Sequence, residues 1–170
     1  FTGSVINFNI PLLGISPTSV TMSGNAVFNA NIGADLFGSF IPLNALTVTG
    51  TTKINTGIVN TTGLQTYQGP VSETSNATLT ASTVHFQDTL SGDILNPNNS
   101  NLIINGNAIF DGSVGVIGNV ITSLDVTGSS NINTDYVGTY NAQDYEGPVQ
   151  LGNTSVNLVS INDDNIIFGG

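Results

Sequence analysis

The chain has 170 residues and a mass of 17.5 kDa, the size of one domain with a substantial core. One cation, Lys53, stands against eleven carboxylates for a formal net charge of -10. That excludes nucleic-acid binding, which needs several cations to displace counterions, and argues against anionic lipid and phosphoryl transfer. Cysteine is absent and no run approaches the roughly 18 to 20 apolar residues of a membrane span, so thiol chemistry, disulfides and an inserted helix are not expected. Asn, Thr, Ser and Gly supply 80 of the 170 residues, and charged residues only 7%. With 17 Ile, 15 Val and 8 Phe, this composition describes β-strands joined by turns, not disorder or a helical bundle.

In chain order, residues 1–19 (FTGSVINFNIPLLGISPTS) come first, apolar and β-prone but outside any repeat. They are expected to be an N-terminal cap or an intermolecular strand, with Val5, Phe8, Ile10 and Leu12 as assembly contacts. A pattern of alternating apolar residues, a glycine and a returning apolar residue then occurs four times. Its positions are Val20/Met22/Gly24/Phe28, Leu46/Val48/Gly50/Ile54, Leu102/Ile104/Gly106/Phe110 and Leu124/Val126/Gly128/Ile132. Each predicts a short strand, a turn at the glycine and a second short strand, with the twelve apolar residues facing inward. Looser versions lie at Leu79–Phe86 and Leu158–Phe168. The start at Phe1 and not Met suggests a processed or excised chain.

A duplication overlies this pattern. Residues 46–71 and 124–149 align without a gap at an offset of 78, with 14 of 26 positions identical, including Gln65/Gln143, Tyr67/Tyr145 and the Gly-Pro-Val at 69–71 and 147–149. Residues 20–170 are thus expected to hold about two copies of a unit of roughly 80 residues. One structural repeat per roughly 22 to 30 residues fits an all-β parallel β-helix, a β-solenoid whose coils stack at about 4.8 Å. Stacked asparagine amides would then bond along the ladder. The alternative is two antiparallel β-sandwich repeats, which would be marginal at that size without disulfides.

TTGLQTYQGPVSETSNATLTASTVHF, residues 61–86, resembles the repeat of large secreted bacterial exoproteins and adhesins of the filamentous-haemagglutinin type. The second copy keeps Gln143, Tyr145, Gly147 and Val149 but replaces Thr66 by Asp144. The resemblance implies a right-handed parallel β-helix, secretion and a role at the cell surface, with no catalytic residues or cofactor.

The residues offer little convergent chemistry. His85, the sole histidine, alternates with Val84 and Phe86 and reads as an outward side chain, with no nucleophile elbow to serve. Asn162, Asp163, Asp164 and Asn165 form the densest oxygen-rich run, and Asp163 and Asp164 are weak Ca²⁺ candidates lacking a calcium-loop pattern. Glu73 and Glu146 read as solvated surface charges, not a hydrolytic pair. Tyr67 and Tyr145 read as packing residues at the coil edge before sugar platforms, and Thr47/Thr49/Thr51 lacks the regularity of an ice-binding array. The expectation is therefore an extracellular or cell-surface structural protein that is not an enzyme. It would be a solenoid segment of an adhesin or the subunit of a self-assembling filament, with a carbohydrate- or ice-binding module as the alternative. Its partners would be other copies or covalent neighbours in a longer chain, with carbohydrate as a further candidate.

Overall fold

A computed structural model describes residues 1–14, 18–35, 40–93, 99–116 and 118–169. It contains strands and no helix among the described residues: β1 (Thr2–Phe8), β2 (Ser19–Phe28), β3 (Ala45–Val48), β4 (Thr52–Ile54), β5 (Ile58–Asn60) and β6 (Leu64–Tyr67). β7 (Val71–Glu73), β8 (Ala77–Phe86), β9 (Leu90–Ser91), β10 (Asn101–Phe110), β11 (Ser123–Val126) and β12 (Ser130–Ile132) follow. The last are β13 (Tyr136–Thr139), β14 (Gln143–Tyr145), β15 (Val149–Leu151), β16 (Asn157–Ser160) and β17 (Ile166–Phe168). Every pairing between these strands is parallel, so the fold is a β-solenoid of about seven turns and not a pair of antiparallel sandwiches.

The strand register resolves each coil into three faces. On the first, Met22, Val48, Tyr67, Phe86, Phe110, Ile132 and Leu151 succeed one another. On the second, Phe8, Phe28, Ile54 and Glu73 form one inward file, and the bridges Leu90–Val114 and Val114–Val137 carry the face onward to β16. On the third, the order is Leu12, Ile32, Val59, Leu79, Ile104, Val126, Tyr145 and Phe168. The shortest coils include those that lead from Val48 to Tyr67, from Tyr67 to Phe86 and from Ile132 to Leu151. Longer advances, such as the one from Met22 to Val48, place extra chain between faces and leave the ladder unbroken.

Alternation decides which side chains fill the coil. All twelve residues expected to face inward are buried, from Val20 at 8% exposure to Met22 and Phe110 at 0%. Three rings of the first-face file stack, Tyr67 on Phe86 at 5.3 Å and Phe86 on Phe110 at 5.7 Å. The glycines form files of their own. A Cβ on Gly50 would lie 2.6 Å from the Gly24 carbonyl carbon, and one on Gly69 would lie 2.7 Å from the Gly50 oxygen. Gly106, Gly128 and Gly147 repeat this arrangement, with Gly24 and Gly106 at φ 133° and 142°. Glycine therefore lets the coil turn while neighbouring corners nearly touch.

The N-terminal segment does not stand apart from the solenoid. Phe8 of β1 pairs with Phe28, and Leu12 bridges Ile32, so these residues supply the first rung of the second and third faces. Asparagines stack as expected: Asn55 Nδ2 donates to Asn29 Oδ1, and Asn29 Nδ2 donates to Asn9 Oδ1.

The sequence duplication does not span a whole number of coils. Val48 lies on the first face, and its equivalent Val126 lies on the third, three coils and two faces further along. The second copy is therefore turned by one face about the axis. Long strands make this possible: β8 and β10 each bend at mid-length and serve the third face with their first half and the first face with their second.

Candidate functional site

The most specific polar construction lies inside the coil. Gln65 is fully buried and points inward, where its Nε2 donates to the carbonyls of Val59 (3.0 Å) and Thr80 (2.9 Å). Those acceptors belong to successive rungs of the preceding face, so one amide ties two coils together. Tyr67 Oη donates to Gln65 Oε1 at 3.1 Å. The second copy rebuilds the same unit one face away: Gln143 Nε2 donates to Val137 and Val159, and Tyr145 Oη to Gln143 Oε1 at 3.0 Å. Burial pushes both phenols well above the ordinary tyrosine range. The Gln-x-Tyr pattern shared by the copies is thus a core bracket. Neither tyrosine is available to a sugar, and both sit within the core, not at its edge.

Corner caps follow the same duplication. Gly24 N donates to Thr49 Oγ1 and Gly106 N to Thr127 Oγ1, each at 3.1 Å. Asn25 and Asn107 each accept the next corner's backbone N–H, from Thr51 and Ser129 at 2.9 Å. These bonds explain the hydroxyl before, and the asparagine after, several turn glycines.

Glu73 departs from expectation. It is fully buried at an inward position below Ile54, not solvated. Neither carboxyl oxygen makes a hydrogen bond of normal geometry. Burial pushes its pKa well above the ordinary range, opposed only by the backbone N–H of Ala77, and so favours the protonated form. Its equivalent in the second copy is Leu151. The surrounding polar run, Ser72 to Ser75, hid it in the sequence. Glu146 is exposed, as expected.

On the outside, His85 Nε2 meets Asp111 Oδ2 at 2.6 Å, and Asn133 Nδ2 donates to Asp111 Oδ1 at 2.8 Å. Partial burial tends to raise the Asp111 pKa, but its bonds to Asn133 and His85 outweigh that and hold it below the ordinary value. Asp163 and Asp164 are exposed; Asp163 adopts φ 56°, and Asp164 N donates to Ser160 Oγ. Among the described residues no three His, Cys, Asp or Glu side chains gather as a metal site would require. Thr21, Thr47 and Thr66 form one outward file of three, ended by His85.

Two surface features were not legible beforehand. Asp125 and Asp144 lie side by side in adjacent strands of the third face. Burial raises the Asp125 pKa, and the charges of Glu146 and Asp144 raise it further. In the first copy the same positions are the neutral Thr47, Thr66 and Gln68. The second feature is an open groove of about 330 Å³ on the second face, lined in part by Val5, Val27, Thr51, Lys53 and Ser72. Of the four residues expected at assembly contacts, Phe8 is buried and Leu12 half-buried, while Val5 and Ile10 are exposed.

No protein-family model matches the chain. No curated protein and no solved structure matches it either.

Proposed function

We propose that the chain is a structural segment of an extracellular β-solenoid, either within a long surface adhesin of the filamentous-haemagglutinin kind or as the subunit of a filament. One observation carries this reading. The ladder runs unbroken through every coil, and its terminal strands each keep one unpaired edge: β1 at one end, and β15, β16 and β17 at the other. Apolar side chains accompany those edges, with Phe1, Val5 and Ile10 exposed at one end and Leu151, Ile167 and Phe168 at the other. The first rung supplies the second and third faces, through β1 and Leu12, and the last supplies all three, through β15, β16 and β17. Further rungs, covalent or from another copy, would pair with these open edges and extend the solenoid.

Electron microscopy of the purified chain at high concentration tests this. Fibres one solenoid wide that disappear when Val5→Lys is combined with Ile167→Lys support the subunit form, since edge lysines block strand addition. A monomer supports the covalent segment. Fibres indifferent to both lysines overturn continuation through the terminal rungs.

A further inference from the structure

We propose that the groove around Lys53 receives the Asp125–Asp144–Glu146 patch of a second copy of this chain, joining solenoids side by side. The groove is concave and crosses successive rungs of the second face, where Val27, Lys53, Ser72 and Ser91 follow one another on the outer surface. Lys53 is exposed and makes no ion pair among the described residues, although it is the chain's only lysine or arginine. Val5 and Val27 give the groove an apolar wall, while Thr51, Ser72 and Ser91 give it hydroxyls.

The patch has the complementary character. Asp125 and Asp144 occupy one outward file, in which Ile103 precedes them and Ile167 follows, both partly exposed. Adjacent parallel strands stand about 4.8 Å apart, so carboxylates at paired positions on them repel one another. An incoming ammonium would offset that repulsion, and the flanking isoleucines would meet the valines of the groove. The groove contains no aromatic side chain, which favours this occupant over a sugar.

Groove and patch lie on different faces and at different heights, so the contact is heterologous and propagates laterally. It rests on the structural reading above and adds the bundling of solenoids to their extension.

The test is sedimentation and small-angle scattering of the whole chain at low and high salt, with Lys53→Glu and Asp144→Lys. Each variant alone should associate about tenfold or more weakly than the parent at low salt, and an equimolar mixture of the two should recover association as pairs that do not grow further, because one supplies an intact patch and the other an intact groove. Recovery on mixing also shows that both variants are folded. Parental association by Lys53→Glu overturns the lateral contact but leaves the structural reading standing, as does a mixture that fails to recover while each variant melts like the parent. Saturable binding of an acidic oligosaccharide to a monomeric parent chain, lost in Lys53→Gln, also overturns it, in favour of a glycan site.

Discussion

Glu73 sits where a hydrophobic residue belongs, and its cost is set by protonation. Its folded pKa lies above the ordinary value of 4.5, so the folded state holds a proton that the unfolded chain releases. Its stabilising share is complete below about pH 4.5 and is lost as pH rises toward and through the raised pKa. Thermal unfolding across that range should show the parent losing stability with pH, while Glu73→Leu, the second copy's residue, loses less. At neutral pH that substitution should stabilise by about 1–3 kcal/mol, because two unpaired oxygens leave the core. The outer His85–Asp111 pair is a contrast. It is partly exposed, and His85→Ala should cost less than about 1 kcal/mol in a denaturant titration. Asp111 has a depressed pKa, so its contribution is present above the ordinary aspartate value and fades as pH falls below it. The outward place of His85 was legible from alternation. Its partner was not, because Asp111 is distant in sequence and adjacent only across a coil. Glu73 was misread because its polar neighbours in the chain resemble a surface turn.

Strands and corners are held by a few repeated devices. The Gln–Tyr bracket links two rungs, because one buried amide donates to a carbonyl on each. Gln65→Leu leaves the Tyr67 hydroxyl without its acceptor and removes one donor from each of two carbonyls, of which Thr80 O keeps the Thr61 N–H, and should cost about 1–3 kcal/mol. A double-mutant cycle with Tyr67→Phe should show strong coupling, and the Gln143/Tyr145 pair should reproduce it. The glycine files are equally constrained. A Cβ on Gly106 would stand within contact of the Ala81 carbonyl, at a φ that L residues rarely adopt. Gly106→Ala should open the corner between β8 and β10, seen as faster amide hydrogen exchange in those strands while β3 and β4 stay protected. Alternation beside a glycine placed the inward residues at this scale, because both signals are local. The acidic file was within reach, since Asp125 and Asp144 are one short coil apart, but the length of that coil emerges only from the register.

At the scale of the molecule, the duplication and the coil have different periods. One unit of the duplication covers three coils and two faces, so equivalent residues point in different directions: Thr47 and Thr66 outward from the first face, Asp125 and Asp144 outward from the third. The three sides accept the same local pattern because each is a parallel ladder with an inward apolar file. The repeat was legible as a repeat and the solenoid as a solenoid. The rotation was not, because nothing in either copy marks which face it occupies. The groove was hidden for a related reason, since Val5, Thr51 and Ser72 approach only through stacking.

The rotation is decided at the junction of β8 and β10. In the structure His85 lies beside Ile109. Were the two copies aligned face to face, with Tyr67 and Tyr145 in one file, His85 would lie beside Ile103 instead. The chain has no cysteine, so paired cysteines report without background. Adjacent outward positions in parallel strands have Cα atoms about 4.8 Å apart, within disulfide reach. Under mild oxidation, His85→Cys with Ile109→Cys should close a disulfide nearly completely, and His85→Cys with Ile103→Cys should remain reduced. The reverse result would contradict the register on which the three-faced, rotated solenoid depends.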